Sequence, residues 1–146
     1  MGVPSGRGHG IQRRRDETIM FENARGAAVI AASDLARARS FYEGVLGLKV
    51  SEESPDEGEG VLYELGGTRL MVYATSFAGT AKNTVFAIDT DDLARDMAAL
   101  RDKGVVFMDY DFPGLTTVDG VADLGGEKTS WFEDSEGNIL ALSERS

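Results

Sequence analysis

A tetrapeptide occurs twice in this chain, as Asp34-Leu-Ala-Arg37 and as Asp92-Leu-Ala-Arg95, at an offset of 58 residues. Each copy follows a short apolar segment and begins a segment in which apolar residues have helical spacing. An internal repeat constrains the fold more strongly than a single motif does, because both copies must form the same supersecondary unit. The sequence therefore predicts one small unit used twice, with a cavity between the two halves.

The length and the cysteine content are those of a domain that needs no cross-links. A chain of 146 residues buries roughly two thirds of its unfolded surface without disulfides or metal ions. The absence of cysteine excludes disulfides, thiolate nucleophiles and Cys-based zinc sites, and it suits a reducing compartment, so we expect the cytoplasm. No segment approaches the ~20 apolar residues of a membrane span, and no membrane partner is expected.

The charge is strongly acidic, with 15 Lys and Arg against 25 Asp and Glu, a net of −10. Residues 1–20 contain four of the basic and two of the acidic residues, which leaves 11 basic and 23 acidic residues, a net of −12, for residues 21–146. Such a surface repels phosphate backbones. A nucleic-acid partner is therefore not expected, and a cationic small molecule is favoured.

The chain divides into a leader and one domain of two modules. Residues 1–19 are rich in Gly and Arg without periodicity and are predicted to be a disordered extension of the domain 20–146. Module one, about residues 24–76, has a helix whose apolar stripe is Leu35, Ala38, Tyr42 and Leu46, capped by Ser33 or Asp34 and ended by Gly47. Its predicted strands are Ala27–Ala32, Lys49–Glu53, Gly60–Leu65 and Thr68–Thr75.

Module two, about residues 83–144, repeats this order. A strand near Asn83–Asp89 is followed by a helix from Asp92 to about Lys103, with Leu93, Met97 and Leu100 as the buried stripe. The remaining segments are a strand Val105–Tyr110, a long connection Asp111–Gly126 typical of a lid or binding loop, and a closing hairpin of Lys128–Glu133 and Asn138–Ser143. The predicted fold class is α+β, with tandem β-α-β-β-β modules.

Two segments resemble the signature sequences of the vicinal oxygen chelate (VOC) superfamily, which contains the glyoxalase, bleomycin-resistance and extradiol-dioxygenase relatives. They are Ser33-Asp-Leu-Ala-Arg-Ala-Arg-Ser-Phe-Tyr42 with Gly44-Val-Leu-Gly-Leu48, and Trp131-Phe-Glu-Asp-Ser-Glu-Gly-Asn138. The resemblance covers about residues 20–146. It implies a curled sheet of about eight strands around a cleft, two outer helices, and frequent dimerisation.

The resemblance also implies a divalent metal in catalytic members, held by a His that begins the first strand of each module and by a Glu in the last strand. The corresponding positions here are Ala27, Val85 and Ala141, none of which can bind a metal. The only histidine is His9, in the predicted extension. A site made only of carboxylates would suit Mg, Ca or Mn. The sequence therefore predicts neither a metal nor another cofactor.

Strand alternation indicates which residues face the cavity. Ala27, Val29 and Ala31 share that face in module one, and the 58-residue offset places Val85, Ala87 and Asp89 on the matching face of module two. In the closing hairpin, Trp131 and Ala141 share a face if Asp134 pairs near Asn138. The candidate ligand-binding residues, chosen as aromatic, Met or ionisable side chains in these strands, are Trp131, Tyr63, Met71, Tyr73, Asp89, Met108 and Tyr110.

Each candidate also has a structural interpretation. The Tyr and Met residues are typical of core or dimer-interface packing, and Trp131 fits either a core or a cavity wall. Asp89 fits a base or a partner for a cationic ligand, but the acidic segment around it favours a solvated strand end beside Asp91 and Asp92.

Three functions follow as hypotheses. The first is a metal-independent, homodimeric protein that binds an aromatic or cationic small molecule. The second is a lyase, isomerase or dioxygenase with a non-standard site, in which a metal-free form relies on Asp89 and a Tyr. The third is a non-catalytic dimeric interaction protein with a vestigial pocket.

Overall fold

The computed structural model describes residues 20–55 and 58–145, and the predicted extension 1–19 lies outside them. Module one contains β1 (Ala28–Ala32), α1 (Leu35–Arg39), a π-helical segment (Ser40–Val45), β2 (Lys49–Val50), β3 (Gly60–Leu65) and β4 (Thr68–Ala74). Module two contains β5 (Thr84–Asp89), α2 (Leu93–Asp102), β6 (Asp111–Phe112), β7 (Leu115–Thr116), β8 (Ala122–Asp123), β9 (Glu127–Glu133) and β10 (Ile139–Arg145).

Each module forms its own four-stranded sheet. The strand orders are β1-β4-β3-β2 and β5-β10-β9-β8, and β6 with β7 forms a separate hairpin. In both sheets the first strand of the module pairs in parallel with the last, β1 with β4 and β5 with β10, while the hairpin neighbours are antiparallel. This arrangement confirms the α+β fold of tandem β-α-β-β-β modules with curled sheets.

One face of each sheet packs into a common core with both helices. The core residues of the first sheet include Ile30, Ala32, Leu70 and Val72, and those of the second include Phe132, Leu140 and Leu142. From the helical segments, Ala38, Tyr42, Leu93 and Met97 are buried as their 3.6-residue spacing predicts. The second face of each sheet lies away from this core.

The repeated tetrapeptide marks the two helix starts. An Asp34 Oδ1 atom accepts a hydrogen bond from the Arg37 amide, and Asp92 Oδ1 accepts one from the Arg95 amide, both at 3.0 Å. Each Asp thus satisfies an amide that has no acceptor within the first helical turn. The two copies of the sequence therefore perform the same capping function.

Three predicted elements were too long or too regular. Past Arg39 the first helix widens into a π-helical turn, in which the Leu46 amide donates to the Phe41 carbonyl. This turn directs the Phe41 ring toward Phe132 and the Tyr42 hydroxyl toward Asp134. The strand predicted over Lys49–Glu53 ends at Val50, because residues 51–54 form a turn. In this turn the Ser54 hydroxyl accepts a hydrogen bond from the Leu62 amide.

The predicted strand Val105–Tyr110 is reduced to one bridge, between Phe107 and Phe132. The backbone leaves the sheet at Tyr110, whose amide bonds to Thr117 in the hairpin that follows. The long connection predicted over Asp111–Gly126 therefore has its own structure, the β6-β7 hairpin followed by β8.

A polar cluster joins the two modules, and we call it the junction cluster: Arg37, Tyr42, Asp134, Glu136 and Asn138. The Tyr42 hydroxyl donates to Asp134 Oδ2 at 2.6 Å, and Asp134 also accepts from the Glu136 and Asn138 amides and from Asn138 Nδ2, each at 2.8 Å. Burial and the Asp134 charge raise the pKa of Tyr42 far above its usual range. Asp134 is therefore a buried acceptor for four hydrogen bonds.

Glu136 binds the start of α1 from the other module. Its Oε1 atom accepts from the amides of Ser33 and Asp34 at 2.9 Å, and Arg37 Nε donates to its Oε2 at 2.8 Å. These contacts hold the pKa of Glu136 at about 2, with the Arg37 hydrogen bond as the largest cause.

The segment between the modules also contacts this cluster. Asn138 donates to the Ala31 carbonyl and accepts from the Gly79 amide. Gly79 has a φ of +73°, and a Cβ there would lie 2.6 Å from the Glu136 carbonyl oxygen, so only glycine fits. The turn at residues 134–138 thus contacts β1, α1 and the inter-module segment.

None of the helices in the part of the chain that the structure describes is long and apolar enough to cross a membrane.

Candidate functional site

The face of the second sheet that turns away from the core carries a short row of side chains. Ala141 of β10 pairs with Ala87 of β5 on one side and with Trp131 of β9 on the other, and Asp134 pairs with Asn138 at the turn. The predicted shared face of Trp131 and Ala141 is therefore present. Ala87 is exposed, Ala141 is buried, and the indole ring beside them is half-buried.

Two further candidates lie against Trp131. The Tyr110 ring is 5.5 Å from the Trp131 ring at 82°, an edge-to-face contact, and Phe112 meets Tyr110 in the same way at 5.9 Å. The Met108 amide donates to the Trp131 carbonyl, and the Tyr110 hydroxyl contacts Met108 Sδ at 3.3 Å. The structure thus brings Met108, Tyr110 and Trp131 together, and we call Tyr110, Phe112 and Trp131 the aromatic wall.

The segment that carries Tyr110 and Phe112 is anchored at its base. Asp109 Oδ1 accepts from the Thr117 hydroxyl at 2.9 Å and from the Gly120 amide at 3.0 Å. Arg101 of α2 donates to the Asp119 carbonyl and lies over the Phe107 ring, 5.1 Å from its centroid. These contacts fix the position of Tyr110 relative to Trp131.

Carboxylates lie at both ends of the alanine row. Asp89 pairs with Ser143, and Glu133 pairs with Ile139. Each carboxylate is therefore two residues from the alanine row along its own strand and lies on the same face of the sheet as the row. Both are exposed. The pKa of Tyr110 is raised, first by burial and then by the Glu133 charge. The wall therefore has a negative rim, and its phenol remains protonated at neutral pH.

A cleft of about 420 Å³ adjoins this region. Met108 and Glu133 line one side of it, and Phe41, Val45 and Lys103 contribute to the remainder. A volume of a few hundred Å³ is in the range of small-molecule pockets, roughly 300–1,000 Å³.

The first sheet has an apolar outer face. Val29 pairs with Met71, and Ala31 pairs with Tyr73, so these four side chains share one face. Val29 is 60% exposed and Tyr73 is 42% exposed. Among the described residues, no hydrogen bond or ring contact joins Met71 or Tyr73 to the aromatic wall, so a single chain does not assemble the candidates into one site.

Tyr63 lies on the opposite face from Met71 and Tyr73, which corrects its assignment as a cavity residue. It pairs with the core residue Leu70, is 0% exposed and stacks on Tyr42 at 6.0 Å. Its hydroxyl donates to Glu43 at 2.7 Å, and burial raises its pKa. The reason is the register of β3, in which Leu62, not Tyr63, pairs with Met71.

The positions of the family's metal ligands do not fit a metal. Ala27 and Ala141 have no donor atom in their side chains, and Val85 lies at the register shift between β5 and β10, where it has no pairing partner. Ala141 pairs with Ala87 and with Trp131, and neither of these two residues can supply a metal ligand. In residues 20–55 and 58–145, no three His, Cys, Asp or Glu side chains are placed to hold an ion.

Two polar residues on these faces were missed from the sequence, Glu133 and Arg69. Glu133 was treated only as a strand end. Arg69 precedes Met71 by two residues, and this spacing within a predicted strand was the available signal that it shares the outer face.

Comparisons with known proteins identify the same fold. A family model described as Glyoxalase/Bleomycin resistance protein/Dioxygenase superfamily matches residues 25–142. No curated protein matches. The antibiotic-binding protein TnmS3 of Streptomyces sp. CB03234 is 19% identical with a TM-score of 0.56, over 84% of this chain and 97% of its own.

Two other solved structures are similar. A glyoxalase/bleomycin resistance protein/dioxygenase from Alicyclobacillus acidocaldarius is 20% identical with a TM-score of 0.59, over 84% of this chain and 92% of its own. An integron cassette protein from the mobile metagenome of V. cholerae is 26% identical with a TM-score of 0.56, over 81% of this chain and 91% of its own. At such identities the first and second of the three structures show the fold alone.

Proposed function

Because this chain belongs to the glyoxalase/bleomycin resistance protein/dioxygenase superfamily, we propose that it is a metal-independent, cytoplasmic protein that binds an aromatic or cationic small molecule. The observation that carries the proposal is the aromatic wall, in which Trp131, Tyr110 and Phe112 meet edge to face beside two alanines. Rigid aromatic surfaces with few polar groups are typical of small-molecule sites. The likeness to an antibiotic-binding protein agrees with this function.

The charge of the rim supports a cationic group on the ligand. Asp89 and Glu133 lie at the two ends of the alanine row, and residues 21–146 carry a net charge of −12. A protonated amine beside the indole ring would gain a cation–π contact of roughly 0.5–2 kcal/mol. The catalytic alternative is less well supported, because the raised pKa of Tyr110 disfavours a phenolate base.

Replacing Trp131 with alanine is expected to weaken ligand binding by about 1–3 kcal/mol, or roughly 5- to 150-fold, because the largest ring of the wall is removed. A suitable panel is 4-nitrobenzylamine, 4-nitrobenzyl alcohol and 4-nitrobenzoate, which share a quenching ring and differ in charge, together with a cationic glycopeptide antibiotic. Quenching of Trp131, the only tryptophan, reports binding to the wild type, and calorimetry reports binding to both proteins.

The matched control is Phe77→Ala, because Phe77 is an aromatic residue that is 73% exposed and lies outside the wall. It should leave binding unchanged, and wild-type binding should survive dialysis against EDTA. If Trp131→Ala instead costs about 3–5 kcal/mol of stability while wild-type emission ignores every ligand, Trp131 is a core residue. Loss of binding on dialysis, restored by a divalent ion, would contradict metal independence.

We also propose a homodimer, because the outer face of the first sheet leaves Val29 60% and Tyr73 42% exposed. A second copy could cover part of this apolar surface, and two-fold dimers are the commonest oligomers. Light scattering at micromolar concentration is expected to return twice the chain mass of 15.7 kDa. A single-chain mass would refute the dimer without affecting the test of the aromatic wall.

A further inference from the structure

The cleft of about 420 Å³ lies between the two modules, and we call it the inter-module cleft. Five apolar residues line it, two from the π-helical segment of module one and three from the segment after α2: Phe41, Val45, Val105, Val106 and Met108. Residues 133–135, at the end of β9, complete the lining together with Lys103 and Gly104. A molecule held in this cleft therefore contacts both modules.

The wall from module one has an unusual backbone. Residues Ser40–Val45 form a π-helical turn, a rare element that is frequent at functional sites. Two half-buried residues of this turn, Phe41 and Val45, line the inter-module cleft, while Tyr42 is buried in the core. The turn thus serves the core and the cleft at once, and its presence points to a binding site independently of the cleft volume.

Lys103, the residue that follows α2, brings a positive charge to the inter-module cleft. Its Nζ atom donates to the Gly44 carbonyl at 3.2 Å and to the Val45 carbonyl at 3.5 Å. These contacts place the ammonium group at the end of the π-helical turn, beside the apolar lining. An ammonium group has three donors, so a ligand carboxylate can bind Lys103 while both carbonyls keep their hydrogen bonds.

Glu133 brings a negative charge to the same cleft, and it is exposed at the end of β9. The other acid in the lining, Asp134, is buried and already accepts four hydrogen bonds, so Glu133 is the carboxylate that a ligand meets. Within residues 20–55 and 58–145, no ion pair joins Lys103 to Glu133. The inter-module cleft therefore combines one cation, one anion and an apolar lining.

We infer that the inter-module cleft binds a zwitterion with an apolar side chain, which is the chemistry of a free apolar amino acid or of the two ends of a short peptide. Lys103 binds the carboxylate, Glu133 binds the ammonium group, and the apolar lining contacts the side chain. Both contacts are charge-assisted hydrogen bonds, so a molecule with only one of the two charges binds more weakly. The site shares only Met108 and Glu133 with the surroundings of the aromatic wall, and the inference does not depend on the proposed function.

The ligands for the test are L-leucine and two analogues that each lack one charged group. 3-Methylbutylamine lacks the carboxylate, and 4-methylpentanoate lacks the ammonium group. Calorimetry with the full chain is expected to show that leucine binds about tenfold more tightly than either analogue. L-Leucyl-L-leucine is included because it separates binding of peptide ends from binding of a free amino acid. Aliphatic compounds are chosen because they have no ring to stack on the aromatic wall.

Two substitutions assign the charges, using whichever zwitterion binds more tightly. Lys103→Met and Glu133→Gln should each lower its affinity about tenfold, and Lys103→Arg should retain most of it. Val106→Asp, at a position that is 80% exposed, should abolish binding without unfolding the chain, because it places a carboxylate in the apolar lining. The matched controls are Lys82→Met and Glu52→Gln, which change exposed charges outside this cleft and should leave the affinity unchanged.

Amide signals of the ¹⁵N-labelled chain locate the bound zwitterion. Titration should shift the signals of Gly104, Val106 and Ser135, which line the inter-module cleft. The Ala99 signal should stay in place, because Ala99 lines a separate apolar cleft of about 300 Å³ that Lys103 also borders. A shift at Ala99 alone would assign the zwitterion to that other cleft and overturn the inference.

Three further results would overturn the inference: no binding of either zwitterion at millimolar concentration, equal affinities for leucine and both analogues, or an affinity unchanged by Lys103→Met and Glu133→Gln. Binding that is lost in Trp131→Ala but kept in Lys103→Met would assign the zwitterion to the aromatic wall, which also contradicts the inference. If zwitterion binding survives Trp131→Ala while the nitro compounds do not bind the wild type, the inference stands and the proposed function fails.

Discussion

Replacing Asp134 with alanine is expected to lower the free energy of unfolding by about 3–5 kcal/mol, because it removes one buried acceptor from four donors. Those donors are the Tyr42 hydroxyl, the amides of Glu136 and Asn138, and Asn138 Nδ2, at 2.6–2.8 Å. Asp134 is only 6% exposed, so water cannot easily replace the carboxylate. Urea unfolding followed by Trp131 fluorescence measures the loss.

Two tyrosine variants act as matched controls for this prediction. Tyr42→Phe removes a hydroxyl bonded to buried Asp134, and Tyr63→Phe removes one bonded to Glu43, whose side chain is 32% exposed. The first should cost about 1.5–3 kcal/mol and the second about 0.5–1.5 kcal/mol, because an acceptor left unpaired in the interior is costlier than one that water can reach. Equal losses, or an Asp134→Ala loss below about 1 kcal/mol, would show that the junction cluster does not stabilise the fold as we describe.

Replacing Glu136 with glutamine is expected to cost about 2–4 kcal/mol at neutral pH. A neutral amide oxygen can still accept from the Ser33 and Asp34 amides, but it forms no ion pair with Arg37. The NH₂ group in place of Oε2 would face two donors, Arg37 Nε and the Ser135 hydroxyl. The charge-matched control is Glu52→Gln at an exposed position, where the loss should stay within about 0.5 kcal/mol.

The pH dependence separates the charge of Glu136 from its shape. Its pKa falls from an ordinary 4.5 to about 2 on folding, so the carboxylate contributes stability that is fully present above about pH 5. This contribution, about 3 kcal/mol, is lost as the pH falls from about 4.5 to 2. Urea unfolding at a series of pH values should therefore show wild type and Glu136→Gln converging at low pH. A difference that is constant from pH 7 to pH 2 would exclude the charge as its cause.

The sequence predicted the parts of the fold that depend on local pattern. The repeated Asp-Leu-Ala-Arg located both helix starts, and the stripes through Ala38, Tyr42, Leu93 and Met97 are buried. The turn at residues 134–137 was also correct, but its role was not visible. Tyr42 and Asp134 are 92 residues apart, and only the packed modules bring them within 2.6 Å.

Register explains why the candidate site was predicted less well. Val61, Leu62 and Tyr63 are all apolar and all buried, so their sequence does not indicate which of them faces outward. That choice depends on the pairing of β3 with β4, which no single strand encodes. Met108, Tyr110 and Trp131 lie together, although the segment that holds Met108 and Tyr110 forms one bridge and not the predicted strand.

The contacts at the two helix starts differ in their origin. The α2 amide of Leu93 donates to Glu144, which lies in the same module, whereas the amides of Ser33 and Asp34 donate to Glu136, which lies in the other module. The two copies of the repeated unit are therefore not equivalent. The second half of the chain contains Glu144, the acceptor for the start of its own helix. The first half depends on Glu136, which lies about a hundred residues later in the sequence. During synthesis, the first half must wait for the last hairpin before its helix start is complete.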